Sequence, residues 1–133
     1  MQLPRRKQRE ILLQLLFAWE VAEPSIELMM EAAEISKKNA LEVDGWLQQL
    51  LNHIHKIDEI LIRSSRSYSL ERISLIDKNV LRIAIFEMIF EGGEPKIVIE
   101  EALRLSKKFS SPEAVAYVHA VIDEVNQNAR ASV

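Results

Sequence analysis

An all-α fold is what this sequence predicts, on three observations. The 133 residues include only three glycines and four prolines, so long stretches run without a helix breaker. The stretches between those breakers carry apolar residues at helical spacing. One of them, Leu75 to Phe90 (LIDKNVLRIAIFEMIF), is apolar all the way round after Asn79, interrupted only by Arg82 and Glu87. A helix with apolar residues on every face must be surrounded by other elements, and this one is too short and too charged to span a membrane. We therefore expect a buried central helix with the remaining helices packed about it, in a single domain covering residues 1–133.

The first helix is expected from Pro4 to Ala22, with proline tolerated in its opening turn. Leu12, Leu15, Leu16 and Trp19 should face the core, flanked by Ile11 and Phe17. Pro24-Ser25 breaks this helix and can start a second, with Ile26, Met29, Met30, Ala33 and Ile35 on its buried side. The polar run Ser36-Lys37-Lys38-Asn39 ends it. A third helix should cover Val43 to Ile62, with Val43, Trp46, Leu47, Leu50, Leu51, Ile54, Ile57 and Leu61 in a continuous stripe. Gly45 weakens its first turn by roughly 1 kcal/mol relative to alanine.

Arg63 to Ser67 reads as a connection and Leu70 to Ile73 as a short helical turn. Ser74, followed three residues later by Asp77, opens the central helix, and Gly92-Gly93 closes it. Pro95 starts a helix through Phe109 with Val98, Ala102, Leu105 and Phe109 on its apolar side. Ser111-Pro112-Glu113 combines a capping serine, a proline at the first helical position and an early acid, the clearest helix start in the chain. The last helix carries Val115, Val118, Ile122 and Val125 toward the core and frays after Asn126.

Composition narrows the chemistry. The chain has no cysteine, which removes thiol catalysis and cysteine-ligated zinc. The basic residues at the start lead into an amphipathic segment containing Gln14 and Glu20 and do not resemble a signal peptide, so a cytoplasmic protein is expected. His53 and His55 are two apart, which on a helix directs them about 200° from each other and prevents shared metal binding. Gly92-Gly93 closes a helix and does not form a phosphate loop. Glu100 and Glu101 are adjacent and diverge, so paired-carboxylate chemistry has no site. We expect no enzyme activity, no metal and no cofactor.

The most suggestive functional signal is basic. Overall, 17 basic residues stand against 20 acidic ones, yet Arg5, Arg6, Lys7 and Arg9 are opposed locally by Glu10 alone. On a helix starting near Pro4, Arg5, Arg6 and Arg9 share one side while Lys7 points elsewhere. Cations in a first turn oppose the helix dipole, so the arrangement wants another explanation. A solvated, loosely ordered N-terminus is one reading; an anchor for phosphates, whose oxygens suit arginine forks, is the other. Lys107-Lys108, near a helix C-terminus, complements the dipole. Tyr117 is either a stacking ring for RNA bases or a partly buried residue with an exposed hydroxyl. Asp77 should lie near the exposed start of the central helix as a cap, and Arg82 and Glu87 should find partners on neighbouring helices.

Three segments together resemble one family. Arg5-Arg6-Lys7-Gln8-Arg9-Glu10 with Gln14-Leu15-Leu16-Phe17-Ala18-Trp19 is similar to the start of NusB transcription antitermination factors. Ile76 to Glu87 resembles the family's central D-[RK]-x-[IV]-L-R-x-A-x-[YF]-E segment, the most specific match, and Val98 to Phe109 resembles I-N-E-A-x-x-L-A-K-x-F. The likeness spans nearly the whole chain. It departs at Gln8, where alanine is usual, at Glu100 in place of asparagine, and at Tyr117-Val118-His119-Ala120 in place of F-V-N-G.

The resemblance implies about seven helices in two packed helical subdomains and a role that is not enzymatic. It implies binding of the boxA sequence of ribosomal RNA transcripts together with NusE, a ribosomal small-subunit protein, within an RNA polymerase antitermination complex. By position it places Arg5, Arg6 and Arg9 in an RNA-contacting arginine motif, Tyr117 against RNA, and Asp77 on the side facing NusE. The alternative is a NusB-like module whose RNA role has given way to protein interaction or to self-association as a homodimer.

Overall fold

The computed structural model describes residues 3–22, 37–65 and 73–131. Among these, six α-helices and one π-helical turn form, and no strand: α1 (Arg5–Ala22), α2 (Lys37–Asn52), α3 (Ile54–Ser64), α4 (Leu75–Ile85), the π-turn Phe86–Phe90, α5 (Pro95–Phe109) and α6 (Pro112–Ala131). The expected second helix with Ile26, Met29, Met30, Ala33 and Ile35 lies outside the described residues, as do Ser36, Arg66-Ser67 and Leu70 to Arg72. The chain divides into two compact units, Met1–Asn52 and His53–Val133.

In the first unit α1 packs on α2. Leu12, Leu15 and Leu16 from α1 meet the expected inward positions, and Val43, Trp46, Leu47 and Leu50 supply the buried side of α2. Two details differ from expectation. Leu13 is buried, whereas Trp19 is only half-buried and Phe17 is 41% exposed. Lys37 to Asn39, expected to end a helix, instead begin α2, which places Gly45 in the helix interior, where an added Cβ would meet nothing within 4 Å.

The single helix expected from Val43 to Ile62 is in fact two. His53 leaves helical geometry (φ −111°, ψ 10°), and α3 starts immediately after it, with the Ile57 amide donating to the His53 carbonyl at 2.9 Å. Apolar spacing carries on through the break, from Leu50 to Ile54, Ile57 and Leu61, all of them buried. A pattern of side chains conserves its period across one residue of altered backbone, so periodicity alone reads one helix there.

In the second unit α4 is central, touching α3, α5 and α6. Asn79 through Met88 are all buried, with Leu81 and Ile85 fully inaccessible and Met88 at 7%. The start is capped as expected: the Ser74 hydroxyl accepts the Asp77 amide at 3.1 Å. The end is more elaborate. Residues Phe86 to Phe90 widen into a π-turn, the Glu91 amide donates to the Phe86 carbonyl at 3.1 Å, and the Gly93 amide donates to the Glu87 carbonyl at 2.8 Å. Gly92 takes φ +69°, and a Cβ on Gly93 would stand 3.0 Å from both the Glu87 carbonyl oxygen and Val98 Cγ2, so the double glycine is needed at both positions.

The buried Arg82 in this unit is matched. Arg82 donates through Nε and one Nη to both oxygens of Asp58 on α3, at 2.8 and 2.9 Å, and through the other Nη to Asn79 Oδ1 at 3.0 Å. Arg82 thus finds its carboxylate on a neighbouring helix, as expected. The start of α6 also forms as expected, the Ala114 amide donating to Ser111 Oγ at 3.2 Å. The helix then continues to Ala131, beyond the fraying point expected after Asn126.

Candidate nucleic-acid interface

The N-terminal arginines lie on an ordered helix. The first helical bond runs from the Gln8 amide to the Pro4 carbonyl at 3.0 Å, and α1 has no acid in its first turn to offset its own dipole. A neighbour supplies one: Glu42 on α2 accepts the Leu3 amide through Oε2 at 2.9 Å, bringing a carboxylate to the positive end of α1. Gln8 adds a second tie, its Nε2 donating to the Leu3 carbonyl at 2.7 Å. The helix start is thus tied at Leu3 through both its amide and its carbonyl.

Arg5 and Arg6 are exposed. Arg5 is also held: its guanidinium carbon sits 3.4 Å from the centre of the Trp46 ring, and its Nη1 donates to Gln8 Oε1 at 3.2 Å. Trp46 itself is 6% exposed. An arginine laid on an indole face keeps its plane fixed and its charge in place. The arrangement can present a planar cation to an anionic oxygen without first ordering a long side chain.

Arg9 differs from the expectation of one exposed arginine face. It is 9% exposed and begins a buried run through Leu13, because this stretch of α1 is enclosed on more sides than the stripe of Leu12, Leu15 and Leu16 indicates. Lys7, pointing elsewhere, pairs with Glu10 at 3.9 Å. Two exposed arginines, not three, form the cationic surface at the start of α1.

Tyr117 and Asp77 belong to the second unit. Tyr117 is half-buried and its hydroxyl is inaccessible to solvent, which reverses the expectation of an exposed hydroxyl and leaves ring, not oxygen, at the surface. Beside it, His119 lies 3.3 Å from Asp123 on the exposed side of α6. Asp77 is a second correction. It was expected near an exposed helix start, yet it is 7% exposed. Its Oδ2 accepts the Ser74 hydroxyl at 2.8 Å, while its Oδ1 is buried and accepts no hydrogen bond from the described residues. The capping geometry that uses one side of the carboxylate also draws it inward.

Other polar and aromatic groups have the following places. Glu101 pairs with Arg104 at 3.0 Å while Glu100 is exposed, so the two acids diverge. His53 stacks on Phe90, ring centres 4.5 Å apart, and Lys107-Lys108 close α5. Among the described residues no group of three or more metal-ligating side chains converges, and no helix is long and apolar enough to cross a membrane. Sequence reading missed Trp46 as the neighbour of Arg5 and Glu42 as the acceptor of the Leu3 amide, since both come from another helix. Gln8 was legible, lying three residues from Arg5 on the same helix.

A chain whose described residues form helices and no strand, with a built cationic helix start, is by fold and surface a small helical binding protein. Comparison with known proteins makes this specific. The NusB family model matches residues 6–127, and the chain belongs to the NusB family. It is 33% identical to the transcription antitermination protein NusB of Desulfosudis oleivorans, over 92% of this chain and 85% of that protein. The solved NusB of T. maritima superposes with a TM-score of 0.80 at 26% identity, covering 96% of this chain and 93% of that one. A chain from a structure of NusB and NusE in complex with double-stranded RNA shares the fold, with a TM-score of 0.78 at 24% identity over 93% of this chain and 96% of that chain.

Proposed function

We propose that this chain is a transcription antitermination factor that binds boxA-type RNA of ribosomal RNA transcripts together with NusE, as part of an RNA polymerase antitermination complex. The observation that carries the reading is the exposed Arg5-Arg6 pair on an ordered helix start in a member of the NusB family. The role is one of binding, not catalysis. Its work on nascent transcripts places it in the cytoplasm, and both helical units act together as one RNA-binding domain.

Phosphate contacts position RNA without reading its bases, and their signature is salt dependence. Arg5→Ala and Arg6→Ala are each expected to flatten the plot of log affinity against log salt by roughly 0.7, for boxA-type and scrambled single-stranded RNA alike. Tyr117→Ala is expected to lower affinity by roughly 1 to 3 kcal/mol with the slope unchanged, because a stacked ring carries no charge. Arg9→Ala, at a buried position, is expected to act on stability before it acts on RNA. The test is a titration of both RNAs with and without NusE. Wild-type slope and affinity in an Arg5/Arg6 double alanine variant would move the RNA surface elsewhere.

Asp77 is the residue we assign to the NusE side. Because it is buried, Asp77→Lys would disturb the fold and is a poor probe of a partner. Asp77→Asn keeps the shape, and the Ser74 hydroxyl can still accept the residue 77 amide. We expect it to weaken NusE binding by up to about 1 kcal/mol, through loss of the negative charge beneath that surface, with bare RNA affinity unchanged. Calorimetry showing undiminished NusE affinity would leave capping as the only role of this carboxylate.

A second reading has one observation in its favour. Phe17 and Val21, one helical turn apart on α1, are 41% and 62% exposed, an apolar strip of the kind through which a NusB-like module could pair with another protein or with itself. Failure of both RNAs to bind with or without NusE, together with a concentration-dependent mass in solution, would favour it.

A further inference from the structure

We propose that Trp46 and Gln8 are positioning residues for RNA, acting through Arg5. The inference rests on the RNA-binding reading above and adds to it residues that have no place in an arginine motif. A free arginine side chain samples many rotamers, and ordering it on binding subtracts from affinity. Here the order is already present. The guanidinium lies on the Trp46 ring at 3.4 Å and Gln8 Oε1 accepts its Nη1 at 3.2 Å. Gln8 in turn is fixed by its bond to the Leu3 carbonyl, and Leu3 by the Glu42 carboxylate. Trp46 is itself anchored, being buried on α2 among the residues that face α1.

The chemistry of the stack suits a phosphate. An indole face attracts a guanidinium through its ring quadrupole and brings no negative charge of its own to the site. Gln8 is likewise neutral.

The experiment is a thermodynamic cycle on the full chain, read as affinity and salt slope for a boxA-type single-stranded RNA. Trp46→Leu is expected to weaken binding roughly 3- to 10-fold with the salt slope retained, since Arg5 can still reach a phosphate at greater entropic cost. Trp46→Phe should lose less, because a smaller π-face remains. Gln8→Ala should weaken binding roughly 2- to 3-fold, near the lower end for one neutral hydrogen bond. In an Arg5→Ala background, all three substitutions should be silent.

An equal loss from Trp46→Leu with or without Arg5 would show that Trp46 acts through the fold, and would overturn the proposal. Full affinity in both Trp46→Leu and Gln8→Ala, with Arg5→Ala still weakened, would overturn it too while leaving Arg5 as an anchor. If Arg5→Ala itself binds as wild type, the anchor assignment fails and the positioning role falls with it. Trp46→Phe and Gln8→Ala keep the test open should Trp46→Leu fold poorly.

Discussion

Replacing Leu81 with alanine should destabilise the protein by roughly 2 to 5 kcal/mol, the range for emptying a fully buried leucine site. Leu81 has no accessible surface, and its helix is packed against α3, α5 and α6. The lost methyl groups forfeit both their transfer from water and their contacts, and a helix held by three neighbours cannot shift to close the gap. Leu75, in the same helix but 36% exposed, is the internal control. Its alanine variant should cost under about 1 kcal/mol. Urea unfolding measures both, and an unchanged m-value would place the effect in the folded state. Less than about 1 kcal/mol for Leu81→Ala would mean that this helix is not the centre of its unit.

Asp58→Ala should be nearly as damaging, by about 2 to 4 kcal/mol, although Asp58 is partly exposed. The cost arises at Arg82. Its side chain is 6% exposed, against 26% for Asp58, and its Nε lies 2.8 Å from the carboxylate. Removing Asp58 takes two charge-assisted hydrogen bonds from a buried guanidinium, which costs more than the pair contributes. The residual exposure of Asp58 keeps the figure below that for a fully buried pair.

Arg82→Met should therefore be milder than Asp58→Ala, and combining the two should recover part of the loss. A cycle in which Asp58→Ala costs under about 0.5 kcal/mol would reduce the contact to an ordinary surface pair. A cycle with additive losses would deny that Arg82 is the source of the cost.

These two sites differ in how they could be known. That Leu81 is enclosed was legible in the run from Val80 to Phe90, because an apolar residue on every face of a helix allows only one environment. That Arg82 has a partner was legible as well, for the same reason. Which residue it is, Asp58, twenty-four positions earlier, was not.

What the sequence determined by itself is local. Ser74 and Ser111 cap the helices they precede, Gly92-Gly93 ends the central one, and the apolar spacing of α1, α5 and α6 selects most of their buried positions. Each of these effects operates within one or two turns, so neighbours in the chain suffice to decide it. The motif at residues 76–87 likewise pointed to the NusB family without any coordinates.

Tertiary structure decided what depends on residues far apart. The break in helical backbone at His53 leaves the helical period intact and is visible only in the backbone. Burial of Arg9 and Asp77, both expected outside, follows from the enclosure of their helices and not from their own polarity. The held state of Arg5 requires a tryptophan from α2, forty-one positions along the chain. A charge's effect on a partner depends on its exposure and on what lies against it, and those are properties of packing. The sequence can place an arginine at a helix start, but only the fold can lay it on an indole ring.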